Sequence, residues 1–199
     1  LAAVLDKMET GEIGFSAFYD RASDADTAFL PLVDAVTPRA ARFINPHDEV
    51  AHAIDKATMH LEFITNGINV PRTVILSPFR QQKECAFSAR DAEWLGNPFV
   101  IKPANTTGGG TGVVLDAATP EDVAEARQLH PDDKYLVQEF IHPDNLGGKR
   151  AWSRVYSGFG EILLCWGDDQ KHEYSELTAE KERRYALGGL RDVMTTFRR

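Results

Sequence analysis

Lys102 closes a short apolar run, Phe99-Val100-Ile101, and Pro103 follows it. Beyond Pro103 lies a loop, Asn105 to Gly112, rich in threonine and glycine, before a second apolar run, Val113-Val114-Leu115. A loop so composed leaves backbone N–H groups uncovered by side chains, which suits it to fold over an anion. Lys102 would set a full positive charge at the edge of that concavity. A flexible hairpin beside a surface lysine is the other reading of the same residues. The stretch is neither a Gly-Lys-Ser/Thr phosphate loop nor a GxGxxG turn opening a helix.

Two further groups carry chemistry. Lys56 follows Asp55 in a helical run, and beside Lys102 and the glycine loop it makes a second cation for phosphate. Phosphoryl transfer asks mainly for positioning and charge neutralisation, which two lysines, a nest of amides and magnesium supply. Arg150 and Arg154 share one face of an alternating stretch, 149–157. Both keep their charge and can bind a carboxylate through two parallel hydrogen bonds. Pairing with surface acids across a sheet is the plainer use of the same arginines.

The elements that must position these groups follow from periodicity and breakers. Leu1–Leu5 reads as a helix and Phe15–Tyr19 as a strand, with Asp20–Asp24 a polar turn at its C-terminal end, where α/β sheets bind ligands. A helix near Asp26–Val36 and a strand Ala41–Ile44 complete an αβ unit. Asn45 and Pro46 read as N-cap and first position of a long helix carrying Val50, Ala53, Ile54, Ala57, Leu61 and Ile64 on one face. Lys56, His60 and Phe63 lie on the neighbouring stripe. Gly67 ends that helix, and Thr73–Leu76 is the next strand. Residues 78–96 read as an irregular helix. Thr119-Pro120 opens a short helix with Val123, Ala126 and Leu129 inward, and Tyr135–Phe140 is a strand. Residues 98–141 therefore read β-loop-β-α-β. Strands follow at 149–157 and Ile162–Trp166, with Trp152 and Trp166 in the core, and two helices are expected from Thr178 on.

The 199 residues carry 22 basic and 30 acidic side chains, a formal net charge of −8, which argues against a general nucleic-acid binder. Hydrophobic residues make up 43% and charged residues 26%, the balance of an ordinary globular chain with one good core or two modest ones. Cys85 and Cys165 stand alone, so no disulfide framework or CxxC metal site is written here, and a reduced, cytoplasmic setting is expected. No apolar run approaches the ~20 residues of a membrane span.

Taken in order, Asp55-Lys56-Ala57-Thr58, Gly67-Ile68-Asn69-Val70-Pro71-Arg72-Thr73, Pro98 to Gly112 and Leu136-Val137-Gln138-Glu139-Phe140-Ile141 resemble the ATP-grasp superfamily. That resemblance implies a two-lobed α/β fold. Its parts would be a partial pre-ATP-grasp domain (1–47), an entry helix, strand and linker (48–97), a small nucleotide-covering lobe (98–141) and the start of a C-terminal lobe (142–199). It implies ATP and Mg2+, with small carboxylate and amine substrates joined through an acyl phosphate. A kinase or a nucleotide-dependent regulator on the same fold is the alternative. Lys56 and Lys102 would reach the phosphates from opposite lobes, and Thr106, Thr107, Gly108, Gly109 and Gly110 would fold over them. Gln138, Glu139 and Ile141 would meet the adenine edge, with Gln138 where a glutamate is more common. Asp144 would approach the ribose, while Arg150 and Arg154 would line the acceptor side. The family's acid and acid-x-Asn metal ligands have no match here. Asp168, Asp169 and Glu173 have the wrong spacing, so the ligands are expected beyond Arg199 and the sequence reads as a fragment.

Overall fold

The computed structural model describes residues 1–24, 26–40, 42–105, 110–143, 145–146, 149–150, 153–159, 161–167 and 174–176. They group into two compact units, Leu1–Phe63 with Arg72–Glu139, and Ile64–Pro71 with Phe140–Arg199.

The first unit starts with helix α1 (Ala2–Glu9) and a parallel strand pair, β1 (Ala17–Tyr19) and β2 (Arg42–Ile44). Parallel strands require a crossover, here a 3-10 turn (Thr27–Phe29) leading into α2 (Leu30–Val36). The Asp26 carboxylate caps the turn by accepting from Ala28 N–H, and α2 turns Val33 and Val36 inward. Phe18 and Phe43, paired across the strands, pack with their rings tilted and their centroids 5.1 Å apart.

The expected long helix is two helices, α3 (His47–Ile54) and α4 (Lys56–Thr65). Asp55 between them takes an extended conformation (ψ 104°) because its carboxylate accepts from Ala57 N–H at 2.8 Å and Thr58 N–H at 3.0 Å. It is thus the N-cap of α4, the local alternative to helix that aspartate offers. Asn45 does not cap α3 as expected. It adopts a left-handed φ of 57° and its side-chain amide turns to the Asp20 carbonyl, so Pro46 takes the cap position.

Strand β3 (Thr73–Leu76) falls where expected, but 78–96 is helical only over α5 (Ala89–Leu95). Ser88 and Asp91 form a capping box at its start, and Gly96, at φ 89°, ends it. Then come β4 (Phe99–Pro103), β5 (Val114–Ala117), α6 (Pro120–Leu129) and β6 (Tyr135–Glu139). The sheet order is β3-β6-β4-β5, antiparallel throughout, so the β-loop-β-α-β lobe gains β3 as a fourth strand from upstream. Phe99, Ile101, Tyr135 and Val137 pack on one sheet face with Leu95 of α5 and Val123 and Ala126 of α6.

The helix start at Thr119-Pro120 is as expected, with Asp122 completing a capping box, but the inward face of α6 differs. Leu129 is 63% exposed and Arg127, 1% exposed, is turned in instead. One guanidinium nitrogen of Arg127 donates to the carbonyls of Ser77 (2.7 Å) and Gln82 (2.8 Å). Those carbonyls belong to the stretch that leaves β3, and spending them on Arg127 takes them away from helix formation there.

The second unit holds a short hairpin, β7 (Asn145–Leu146) with β8 (Lys149–Arg150), and an antiparallel set β9 (Ser153–Gly158), β10 (Glu161–Gly167) and β11 (Tyr174–Glu176). The strand expected over 149–157 falls on β8 and β9, and the one expected over Ile162–Trp166 falls on β10. The side chains of Trp152 and Trp166, and the helices expected from Thr178, lie outside the described residues. Among the described residues no helix is long and apolar enough to cross a membrane.

Thr119→Ala removes the hydroxyl that accepts from Asp122 N–H and should cost about 1 kcal/mol. A lower urea midpoint with an unchanged slope is the expected reading. Leu129→Ala should stay within about 0.5 kcal/mol. A loss at Leu129 as large as that at Thr119 would contradict the inward face assigned to α6.

Candidate functional site

Alternation along a strand sends successive side chains to opposite faces. With Phe99 and Ile101 committed to the helix-covered face, Val100 and Lys102 must project from the other. The register places Leu136 opposite Lys102 and Gln138 opposite Val100, and on the next strand Ile75 and Thr73 complete the two rows. Ala57, the second residue of α4, packs on this face with Leu136, Ala104 and Ile75. The start of α4 is thereby brought against the end of β4, and Lys56 with it.

The electrostatics follow from that approach. Burial pushes the Lys102 ammonium below the usual lysine range, and the charge of Lys56 pushes it further. Lys102 has no acidic partner among the described residues. His60, one turn beyond Lys56 and 7% exposed, has its pKa lowered by burial and then by Lys102. A neutral imidazole is therefore favoured, which keeps the cluster at two cations. Both lysines belong to the same compact unit.

The residues after β4 are firmly held. The Ala104 carbonyl accepts from Lys56 twice, from its backbone N–H at 3.2 Å and from Nζ at 3.0 Å. Ala104 N–H donates to the Lys134 carbonyl at 2.8 Å. Asn105 donates from its backbone N–H (2.8 Å) and from Nδ2 (3.2 Å) to the two oxygens of Asp133. Nδ2 also reaches Asp55 Oδ2 at 3.5 Å, and that same oxygen takes the Lys134 ammonium. Burial alone would raise the Asp55 pKa; the bonds from Lys134, Thr58 and Ala57 outweigh it and hold the carboxyl below its usual range.

The other expected site residues are distributed as follows. Gln138, 8% exposed, spends its side-chain N–H on the Thr73 hydroxyl at 2.7 Å. Both Glu139 oxygens are taken by Arg72, one by its backbone N–H at 2.9 Å and one by its guanidinium. The same guanidinium donates to the carbonyls of Trp94 and Leu95 at the end of α5 and lies over the Trp94 ring. The Glu139 pKa is held low by these bonds from Arg72. Ile141 is exposed. Arg150 on β8 and Arg154 on β9 are exposed and belong to the second unit. Thr106, Thr107, Gly108, Gly109 and Asp144 lie outside the described residues. Gly110, at φ 83°, begins a turn closed by Val113 N–H on its own carbonyl, directly ahead of β5.

The polar turn after β1 also has a defined geometry. Asp20 Oδ1 accepts from the N–H groups of Ala22 and Ser23, each at 3.1 Å. Ser23 Oγ lies between Asp20 Oδ2 and His47 Nδ1, the latter at 2.7 Å. A cavity of about 360 Å3 opens beside it, bordered by Asp20, Arg21, Asp24 and Asn45.

Much of the positioning falls to residues given no role from sequence: His60 on the stripe of Lys56, Asn105 at the head of the glycine loop and Arg72 in the strand-entry motif were named there, whereas Asp133 and Lys134 were not. The arrangement fits a polyphosphate, since Lys102, with the charge of Lys56 beside it, has no acidic partner among the described residues. It does not define a metal centre. Among the described residues no three His, Cys, Asp or Glu side chains converge, and Asp168, Asp169 and Glu173 lie outside them.

No family model matches the chain, and no curated protein matches it. Solved structures do. An ATP-grasp RimK domain protein from Sphaerobacter thermophilus DSM 20745 superposes with a TM-score of 0.60 at 19% identity, over 92% of this chain and 65% of that one. A D-alanine–D-alanine ligase from Bacillus anthracis complexed with ATP gives 0.57 at 11%, over 98% and 61%. A D-cycloserine synthetase gives 0.56 at 13%, over 98% and 76%. Across eight such structures the chain spans between 43% and 76% of their length. Likeness at these identities speaks for architecture, and it agrees with the ordered motifs: the chain has the ATP-grasp fold.

Proposed function

We propose that this chain is the nucleotide-binding part of an ATP-dependent carboxylate–amine ligase. The observation that carries the proposal is Lys102, a half-buried ammonium whose near neighbour is a second ammonium and which has no acidic partner among the described residues. A protein that holds like charges together away from water loses stability by it, and a polyanion bound there restores that stability. The start of α4 adds its N-terminal dipole in the same sense. Similarity to ligase structures, one of them holding ATP, supports the same reading.

In this proposal the substrate carboxylate attacks the γ-phosphorus of ATP, ADP leaves, and an acyl phosphate forms. An amine then attacks the acyl carbon, phosphate departs, and the amine gives up a proton. Lys56 and Lys102 bind the phosphates and offset their charge as the bond to ADP breaks. Gln138, Glu139 and Ile141 line the adenine edge; Glu139 acts there through its backbone, its carboxylate being held by Arg72. Arg150 and Arg154 bind the acid or its acyl phosphate, and Asp144 meets the ribose. Magnesium accompanies ATP as its counter-ion, and no described residue is assigned to hold it.

Three outcomes are expected. ATP should raise the melting temperature, and Lys102→Ala should weaken ATP binding roughly tenfold, the loss of one charge-assisted contact; an unchanged shift in that variant would remove Lys102 from the phosphate site. ATP affinity should fall as pH rises towards the depressed Lys102 value, because only the protonated amine attracts phosphate. Lys102→Arg should flatten that dependence, as arginine keeps its proton. Finally, with magnesium and a panel of acids and amines, ADP release should require both an acid and an amine. A stable phosphorylated product formed without amine would make the protein a kinase instead.

A further inference from the structure

We infer that Asp133 and Asp55 are positioning residues that hold Lys56 and Lys102 at the spacing a polyphosphate needs, an inference that rests on the proposed nucleotide reading. Two like charges on separate elements, α4 and β4, will drift apart unless something ties the elements together. The tie is the dipeptide Ala104-Asn105. Ala104 N–H and carbonyl, and Asn105 N–H and Nδ2, all have partners. Those partners come from α4 (Lys56), from the turn ahead of β6 and its last residue (Asp133, Lys134) and from the cap of α4 (Asp55). Asp133 is 6% exposed and takes both N–H groups of Asn105, a two-point grip that fixes the orientation of the dipeptide as well as its distance. Asp55 shares one carboxylate between the first turn of α4 on one side and Lys134 and Asn105 on the other.

The charge sign makes the assignment testable. Carboxylates in this neighbourhood oppose an incoming phosphate, so an acid present only as a charge would weaken binding, and its removal would tighten it. An acid that positions the lysines does the reverse. Asp133→Asn changes the shape little, removes a negative charge and turns one acceptor into a donor facing an N–H.

The experiment is calorimetric titration of the chain with inorganic tripolyphosphate, ATP and adenosine, well below its melting temperature. Asp133→Asn and the charge-neutral Asn105→Ala should each weaken tripolyphosphate and ATP about three- to tenfold, the range for losing one hydrogen bond. Adenosine should be unaffected. Unchanged or tighter tripolyphosphate binding by both variants would overturn the positioning role. So would a parallel loss of adenosine binding, which would signal general damage. If Asp133→Asn does not fold, Asn105→Ala decides the matter alone. A wild-type chain that answers neither tripolyphosphate nor ATP overturns the proposed function and this role with it, whereas a wild-type response without a change in the variants overturns only the role.

Discussion

Two ammonium groups held close where the start of α4 meets the end of β4 set the terms for the rest of this unit. Lys102 is half-buried and feels the repulsion of Lys56, and no acid pairs with Lys102 among the described residues. Repulsion of this kind is sustained only where the backbone bearing the charges is over-determined. Here the first turn of α4, the end of β4 and the start of β6 are stitched together at Ala104 and Asn105. A neutral-favouring His60 beneath them keeps a third charge from adding to the strain.

The sheet can turn Lys102 to one face because its other face is fully used. Phe99, Ile101, Tyr135 and Val137 are buried under α5 and α6, which leaves alternate residues, Lys102 and Gln138 among them, on the opposite side. The core extends even to a cation. Arg127, essentially inaccessible, satisfies two carbonyls of the stretch after β3, while two of its nitrogens have no hydrogen-bond partner among the described residues. Burying unpaired donors is costly, and the return is a fixed connection between β3 and α5 where local sequence defines no element.

Motif residues need not do the same work wherever the motif occurs. Glu139 sits where an adenine-facing acid is expected, yet its carboxylate is committed to Arg72, which also gathers the last carbonyls of α5 and lies over Trp94. Asp55, the partner of Lys56 in the Asp-Lys pair, serves as a helix cap and a tie. Gln138 pairs with Thr73 across the sheet. In each case the side chain meets a partner far away in sequence, and that partner decides what it can offer to a ligand.

What could be read from the chain alone was whatever is decided locally. Strands β3, β4 and β6, the helix start at Thr119, the stop at Gly96 and the ordered lysine and glycine motifs all rest on neighbours a few residues apart. Their order was enough to identify the architecture. Tertiary structure decided the rest. The chain alone read 78–96 as an irregular helix, but Arg127, far along the chain, takes the carbonyls of Ser77 and Gln82. It placed Leu129 inward because leucine is apolar, whereas α6 had room on that face only for Val123, Ala126 and the long stem of Arg127. It read one helix across Asp55, since the competing cap becomes worthwhile only when Lys134 and Asn105 share its carboxylate. The spacing of Lys56 and Lys102, 46 positions apart in the numbering, was written in no local pattern, because it depends on contacts made only after the sheet has closed.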